Sequence, residues 1–555
     1  MRPRFQIRRI LYLRPFRPPN SLRLFTQNTL TLTPRSRPQL PFLSPPNRRP
    51  IARFLTTERK QWIKDEVWRA GKYTTILWTV TVLLLTIVFG VQQEWLERKF
   101  PSPHEWSWIT RKDFRSARWD EDHDDEANGG LVDWARTGEA YRRLIKRLED
   151  PSVDGAGLQD QDEGGILVAG IGKTGFDITG KPESWRRGYY QVLMGAARAA
   201  EHLDGWVRDR SRNVAFPASV VIGPSNPDPR PVPPGAKSAP REEDCEPAFE
   251  APETFYVRVL TTHGFTEKER VDAALAYAAW LDFKRTPETA LEMYKWALDI
   301  ASSGSQTPVF NSMTRTLNTD AGAPSANMLA ATTALAVHHA LNANLAVALP
   351  IFLSVLRARR SLPEAPATML STLTPDEEDN GILKAVMSLI TSIVAAPKYP
   401  PPPPDGTSPP TRSPKERCEE AGIMTYIGEI LYASKTTKTS REDGLAWTRE
   451  AVDIAEEELR GKRIDKEGKQ TCRQCLEVGL TNWTKMVERL AREERETKAE
   501  RGSIGGWLGF GTEEQKEAVG RWESEKQVIK ERSRRASELL SSPTHSPSGS
   551  SFLSA

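Results

Sequence analysis

Hydrophobic and polar positions are unevenly distributed along the chain, and one segment, residues 73–91, carries no charged residue. As a helix with about 1.5 Å of rise per residue, it would span roughly 28 Å, which matches the hydrocarbon core of a bilayer. Charges bracket it at Arg69 and Lys72 on one side and at Glu94 on the other. A buried core helix is the alternative, but the segment is apolar on all faces. The pattern therefore predicts one transmembrane helix.

The rest of the chain shows the periodicity of α-helices and no convincing alternation of the kind found in strands. A proline-rich stretch at 212–252 predicts a long loop, and five consecutive prolines within 399–414 predict a polyproline-II linker. The predicted class is therefore all-α. The predicted helical regions are 131–149, 184–209, 267–302, 325–362, 413–459, 467–501 and 512–541.

At the N-terminus, arginine alternates with apolar residues and acidic residues are missing. Residues 1–57 contain twelve arginines and no aspartate, glutamate or lysine, and the first acidic residue is Glu58. This composition is typical of a mitochondrial transit peptide, and it predicts a cleavage site near Arg53. A basic arm that binds nucleic acid or anionic lipid is the alternative.

The order of presequence and anchor predicts a topology. The presequence would enter the matrix first, and the single apolar segment would then stop transfer in the inner membrane. Residues 92–555 would therefore lie in the intermembrane space, and the basic flank before the anchor would face the matrix. Without the twelve arginines the chain has 65 basic and 73 acidic residues, about −8. The mature protein thus has no excess positive charge for nucleic acid.

Three predicted helix pairs carry small and large residues in the same order. Residues 290–301 and 444–455 align without gaps and share a leucine, an alanine and a final Asp-Ile-Ala. Residues 348–356 match them at three positions, and an earlier helix precedes each segment. The signature residues are Ala278, Leu281, Ala290, Tyr294, Ala297, Ala336, His339, Ala348, Phe352, Val355, Gly428, Leu431 and Ala451.

This pattern resembles the tetratricopeptide repeat, with Leu-Gly/Ala-x-x-Tyr in its first helix and Ala-x-x-x-Phe-x-x-Ala in its second. The resemblance implies that Ala278, Ala336 and Gly428 let the two helices of a pair approach closely. The chain departs from the pattern at His339 and Thr448, where the repeat has aromatic residues. The predicted fold is thus all-α, a single transmembrane helix followed by divergent tetratricopeptide-like helical repeats. An unrelated helical bundle is the alternative.

The order of presequence, single anchor, aromatic and proline-containing juxtamembrane segment and repeats has a wider resemblance. It is similar to the tetratricopeptide adaptor subunit of the fungal mitochondrial inner-membrane i-AAA protease supercomplex. Residues 177–209 are also of a kind typical of filamentous-fungal members, and the resemblance covers about residues 60–500. It implies that the protein binds unfolded or membrane-bound substrates and passes them to the protease. The implied partners are the i-AAA protease complex, its protein substrates and the bilayer.

The resemblance and the helical pattern together divide the chain into segments. Candidate partner contacts fall in the helical hairpin region, at Arg186, Arg187, Tyr189 and Tyr190. The segments are a presequence (1–57), matrix-side flank (58–72), transmembrane helix (73–91), juxtamembrane segment (92–130), helical hairpin region (131–210), Pro-rich loop (211–252), tetratricopeptide-like repeats (253–398), Pro-rich linker (399–414), a further repeat and helix (415–501), a Gly loop and charged helix (502–541) and a disordered tail (542–555).

No motif predicts catalytic, cofactor-binding or metal-binding residues, so the sequence favours a protein that is not an enzyme. The segment 164–175 lacks the glycine that a P-loop requires, because Leu167 stands there, and neither H-E-x-x-H nor G-x-S-x-G occurs. Cys472 and Cys475 form a C-x-x-C, for which two unreactive thiols are favoured over a redox pair, half a zinc site or a mutual disulfide. Rival functions are an assembly or scaffold factor for another inner-membrane complex and an outer-membrane import receptor.

Overall fold

The structure is a computed structural model that describes residues 57–122, 132–160, 175–232, 238–303, 309–318, 322–364, 399–434, 439–461, 464–507 and 520–541. Within these ranges thirteen α-helices dominate and three small antiparallel sheets are present. The mostly helical class is confirmed, but the prediction that strands are missing is wrong. The presequence before Thr57, the segment 161–174 and the tail after Ser541 lie outside the described residues.

Helix α1 spans Thr57–Lys99 and contains the predicted anchor. It is long and apolar enough to cross a membrane. Within the described ranges no other helix meets this test. The chain divides into two compact units, Met1–Ile87 and Val88–Ala555, so α1 passes from one unit into the other.

The second unit begins with four helices and two sheets. The sequence pattern predicted a helix to residue 209, but the helix ends at His202. Gly205 then turns the chain with a φ of +72°, a backbone conformation that glycine adopts without steric cost. Asn213, at a φ of 51°, turns the chain back within the predicted loop. The helices are α2 (Trp108–Glu121), α3 (Trp134–Glu149), α4 (Glu183–His202) and α5 (Pro252–Thr261). The strands are β1 (Gln159–Asp160), β2 (Phe176–Asp177), β3 (Trp206–Asp209), β4 (Val214–Pro217) and β5 (Cys245–Pro247), in which β1 pairs with β2 and β3 lies between β4 and β5. Short 3₁₀ turns cover Ala218–Val220 and Glu242–Asp244.

Three antiparallel helix pairs follow, at the predicted positions, and each packs against the next. A capping box of Thr266 and Glu269 begins the first pair. Left-handed residues Arg285 and Ala343 make the tight turns inside the first two pairs. The pairs are α6 (Glu267–Phe283) with α7 (Pro287–Ser302), α8 (Ala326–Leu341) with α9 (Leu345–Arg360), and α10 (Pro414–Ala433) with α11 (Ser440–Arg460). Strands β6 (Phe310–Asn311) and β7 (Thr316–Leu317) precede α8, and α12 (Lys466–Trp507) and α13 (Arg521–Ser541) end the described chain.

The signature residues occupy the interior of these pairs. All of them are buried except Leu431, which is half-buried. At Gly428 the backbones of α10 and α11 approach so closely that an added Cβ would lie 2.5 Å from Oγ1 of Thr448 and 2.8 Å from the carbonyl oxygen of Gly444. The small residue is therefore required by the packing of the third pair.

A matched pair of substitutions tests this close approach. Gly422 also lies on α10, but a Cβ there would meet nothing within 4 Å. We expect Gly422→Ala to stabilise the protein by about 0.5–1 kcal/mol, because alanine is the better helix former. Gly428→Ala should instead destabilise it by about 1–3 kcal/mol through overpacking. Urea unfolding of the full-length protein in detergent measures both, and equal effects would show that the helices do not touch at Gly428.

The proline-rich segment 399–413 is packed against the helices, so the prediction of a linker is wrong. Arg187 of α4 donates hydrogen bonds to the carbonyl oxygens of Pro400 (2.6 Å) and Pro401 (2.9 Å). Its guanidinium also stacks on the ring of Tyr399 at 4.4 Å. Proline carbonyls are free to accept because a polyproline-II backbone makes no internal hydrogen bonds. The segment therefore ties α4 to a part of the chain more than 200 residues away.

The cysteines pair differently from the prediction. Cys418 of α10 forms a disulfide with Cys472 of α12, across a Cα–Cα distance of 5.1 Å. Cys475 is a free, buried thiol, and burial raises its pKa to about 12. Residues 472 and 475 are therefore neither a redox pair nor two inert thiols. The bond joins the first helix of the third pair to the helix that covers it.

Candidate functional site

A groove of about 510 Å³ opens between α4, α5 and α6, and we call it the α4–α6 groove. Four positions on α6, 272, 276, 279 and 283, share one face because they follow helical spacing. Phe283 at the end of this face is 75 % exposed. The apolar lining consists of Met194, Tyr256, Ala276, Ala279, Trp280 and Phe283.

Small and large apolar side chains alternate in this groove. Phe283 stacks on Trp280 with ring centroids 5.5 Å apart, while Ala276 and Ala279 leave space beside them. A mostly apolar depression with a few polar groups is the usual form of a binding site, and an exposed phenylalanine at its rim is costly unless something covers it. The arrangement suits an apolar side chain of another molecule.

The polar side chains of the groove are tied to the surrounding helices. Arg198 donates from Nε to Glu121 at 2.6 Å, and the Tyr141 hydroxyl donates to the same carboxylate at 2.5 Å. Burial alone would raise the pKa of Glu121, but Arg198 and these hydrogen bonds hold it below its ordinary value. Tyr256 donates to Glu201 at 2.6 Å, and burial raises the pKa of Glu201. These bonds fix the groove walls.

One carboxylate beyond the groove lining, on the same face of α6, has no such partner. Asp272 is exposed one turn before Ala276 on the same face of α6. Among the described residues it makes no hydrogen bond and no ion pair, although Lys268 lies near enough to influence it electrostatically. Burial raises the pKa of Asp272 and Lys268 lowers it, with burial the larger effect. This face of α6 therefore carries a carboxylate one turn beyond the apolar lining of the groove.

The four candidate partner contacts lie on α4, but the structure engages them within the fold. Tyr189 is fully buried and donates to Glu149 at 2.9 Å, and Arg187 binds the proline-rich segment, so the prediction is wrong for these two. Arg186 is half-buried and donates to the carbonyl oxygen of Gly264 at 2.7 Å. Tyr190 is half-buried against Phe265. For Arg186 and Tyr190 the contact stays a prediction.

Sequence reasoning missed Met194 and Phe283, which line the groove. The apolar residues of α6 that it used, Ala278 and Leu281, face the core. Phe283 does not lie on the face of α6 that carries Ala278 and Leu281. This position off the core-facing side was the one sequence feature that could have indicated its exposure. Which neighbouring helix would complete a groove could not be predicted from the periodicity of α6 alone.

Two adjacent histidines on α8 form a buried polar cluster. His338 Nδ1 lies 2.8 Å from Oδ1 of Asp282. The other carboxylate oxygen, Oδ2, accepts a hydrogen bond from the Tyr294 hydroxyl at 3.1 Å. His339 Nε2 lies 3.1 Å from an Arg315 guanidinium nitrogen. Because this nitrogen of the imidazole faces a donor, neutral His339 accepts the hydrogen bond. The cluster joins α6, α7, α8 and the β6–β7 hairpin.

The protonation of His339 should make stability depend on pH. Burial first, and then Arg315 and His338, lower the pKa of His339 from 6.5 to about 4. Its unfolded form takes up a proton near pH 6.5 and its folded form only near pH 4, so stability falls as the pH falls through this window. We expect a loss of about 2 kcal/mol between pH 7 and pH 5 from this residue.

The measurement is urea unfolding of full-length protein in detergent at pH 7 and pH 5. The variant His339→Gln should remove this part of the pH dependence, because glutamine does not titrate. The exposed residue His104 is the control, and His104→Gln should leave the wild-type difference unchanged. A His339→Gln protein that loses as much stability as wild type would contradict the assignment.

The described residues contain no group of three or more His, Cys, Asp or Glu side chains that could hold a metal ion. The acidic run 120–126 is described only to Asp122, and Glu121 within it is ion-paired. Comparison of the chain with protein-family models, curated proteins and solved structures finds no match. The features that bear on function are therefore the candidate membrane-spanning helix, the helix pairs and the groove.

Proposed function

We propose that this protein is a membrane-anchored helical-repeat adaptor, which binds substrate proteins in the intermembrane space and presents them to an inner-membrane AAA protease. The α4–α6 groove is the observation that carries the proposal. It combines an exposed phenylalanine with space beside it, and it lies in the unit that continues from a candidate membrane-spanning helix. Asp272 lies outside the groove lining, further along the same face of α6. An anchored groove meets membrane-bound partners at a raised effective concentration.

We propose further that the three helix pairs are divergent tetratricopeptide repeats. The burial of the signature residues supports this, as does the close approach of α10 and α11 at Gly428. Helix pairs that stack in sequence form extended surfaces for peptides. The hairpin of α4 and α5 would then extend the surface of the first pair, α6–α7.

The proposed compartment is the mitochondrial intermembrane space, with the segment before the anchor in the matrix. The acid-free, arginine-rich segment 1–57 supports import into mitochondria. The disulfide between Cys418 and Cys472 supports an oxidising location for the unit after the anchor, because such bonds are rare in reducing compartments. Protease added to mitoplasts should therefore digest the region after Val91.

The groove chemistry favours a particular kind of segment. Asp272 and Phe283 lie three helical turns apart on α6, roughly 16 Å along its axis. A bulky apolar side chain could pack beside Phe283, while a lysine or arginine about three helical turns away along the same segment would bring its charge to Asp272. Unfolded or membrane-released segments expose such combinations. Folded surfaces rarely expose large apolar patches.

Site-specific photocrosslinking in intact mitochondria tests the proposal. A benzoyl-phenylalanine at position 283 should crosslink to an inner-membrane AAA protease or to its substrates. The same probe at Met313, which is 91 % exposed and outside the groove lining, is the control and should not give these products. Ala279→Arg should abolish the position-283 products, whereas Ala346→Arg, on an exposed position of α9, should not.

Products identified from position 283 decide between the rival functions. Subunits of another inner-membrane complex in place of a protease would make the protein an assembly or scaffold factor. Precursor proteins in transit would make it an import receptor. Identical products from positions 283 and 313 would show that the groove is not the binding site.

A further inference from the structure

The start of α2 lies beside the end of the apolar segment of α1. The ring of Trp108, the first residue of α2, is 6.2 Å from the ring of Phe89. Phe89 belongs to the last turn of the charge-free segment, which ends at Val91. If α1 crosses a membrane, Trp108 must therefore lie at the depth where the hydrocarbon core meets the headgroups.

Two adjacent bulky side chains at the start of α2 are open to solvent, Trp108 (57 % exposed) and Ile109 (50 % exposed). Trp95 on α1 is also 50 % exposed. Tryptophan is enriched at membrane interfaces, because its ring is apolar and its N–H can donate to headgroup or water oxygens. In water the same side chains would expose apolar area with no compensating contact.

A polar network behind them holds this turn of α2 in place. The Ser107 backbone N–H donates to Asp154 at 2.8 Å, and the Thr110 hydroxyl donates to the same carboxylate at 2.6 Å. Arg147 of α3 donates to Thr110 at 2.9 Å. Trp108 and Ile109 are therefore presented by a fixed turn.

The join between α1 and α2 is also fixed. Glu97 near the end of α1 is buried and accepts hydrogen bonds from Ser102 and Arg115, and it forms an ion pair with Arg111 at 3.2 Å. These contacts keep Trp108 beside Phe89. The exposed pair thus lies beside the last turn of the charge-free segment, on a second helix.

We propose that the first turn of α2 is a second membrane contact, in which Trp108 and Ile109 insert into the headgroup–acyl boundary on the side of the bilayer where α1 emerges. The occupant is the bilayer interface, because this surface is continuous with the apolar segment of α1. Lys112, one turn after Trp108, can extend toward the headgroups. The inference requires α1 to be a membrane span but does not require the adaptor function.

Depth measurements on the full-length protein in phosphatidylcholine vesicles test this proposal. The background carries Cys245→Ser and Cys475→Ser, which retains the disulfide. An NBD probe is attached at Ile109→Cys, at Leu84→Cys within the span, and at Met313→Cys as an exposed control. Lipids with doxyl groups near the headgroup or deep in the acyl chains quench from the membrane side, and iodide quenches from water.

We expect shallow doxyl lipids to quench the probe at position 109 most strongly and iodide to quench it several-fold less than the probe at position 313. Deep doxyl lipids should quench position 84. Quenching at 84 together with equal iodide quenching at 109 and 313 would overturn this proposal and leave the anchor intact. Loss of lipid quenching at 84 would instead overturn the anchor on which the proposal depends.

A probe at 109 that neither doxyl lipids nor iodide can quench would show that protein covers the site, and this result would also overturn the proposal. If Ile109→Cys fails to fold, Trp108→Cys gives the same readout from the neighbouring exposed position. Retention of the Cys418–Cys472 bond on a non-reducing gel reports that each variant is folded.

Discussion

Replacing Thr81 and Leu84 together with arginine should release the full-length protein from the membrane. Both side chains are exposed on α1, near the middle of the charge-free segment. Each arginine at the centre of a membrane helix costs roughly 2.5–3.5 kcal/mol on insertion scales. Two of them would offset much of the free energy gained by inserting the apolar residues. Alkaline carbonate extraction of isolated membranes should then find the variant in the supernatant.

The matched control changes Leu84 without introducing a charge. Leu84→Val leaves the segment apolar, and this protein should stay in the carbonate pellet with wild type. A double-arginine variant that also stays in the pellet would show that α1 is not the anchor. The topology and the interfacial role of α2 would then lose their basis.

Helix positions were predicted well because the periodicity that reports them is local. The pairs α6–α7 and α8–α9 lie where the apolar spacing placed them. Strand β3 was missed because it has four residues, too few to show alternation, and because Gly205 ends the preceding helix through its backbone conformation. Such short strands depend on partners along the sheet more than on their own sequence.

Long-range pairings could not be predicted from local pattern. The thiol of Cys472 had an obvious neighbour in Cys475, yet its partner is Cys418, 54 residues earlier. In the same way, Arg187 on α4 gave no sign that it would bind carbonyls of a proline run more than 200 residues later. A charged side chain in a sequence predicts an exposed residue more often than one that binds another segment of the same chain. For this reason Arg187 was wrongly assigned as a contact for a partner protein.

A short series of contacts joins the last turns of α1 to the groove. Glu97 at the end of α1 binds Arg115 of α2. The segment before α2 packs Pro103 and Trp106 so closely against α4 that a Cβ at Gly188 would lie 2.6 Å from each side chain. Helix α4 then lines the groove with Met194. The groove is thus linked through packed elements to the last turns of α1.

Loss of the disulfide should loosen the last described helices. The bond between Cys418 and Cys472 closes a loop with a sequence separation of 54 residues. On the chain-entropy account, a loop of this length contributes about 4 kcal/mol by restricting the unfolded state. We expect Cys418→Ser and Cys472→Ser each to lower the free energy of unfolding by about this amount. Urea unfolding of full-length protein in detergent without reductant measures the change.

The controls separate the bond from the substitution. Cys245→Ser, at a half-exposed thiol outside the bond, should change stability by no more than about 0.5 kcal/mol. Reductant should weaken wild type to the level of Cys418→Ser and leave that variant unchanged. If Cys472 were instead bonded to Cys475, Cys418→Ser would leave the free energy of unfolding unchanged. Reductant would then weaken wild type only slightly, because closing a three-residue loop constrains the unfolded chain far less. Cys418→Ser with wild-type stability, together with a Cys472–Cys475 crosslink in peptide mapping, would therefore overturn the pairing, and the oxidising location would need other support.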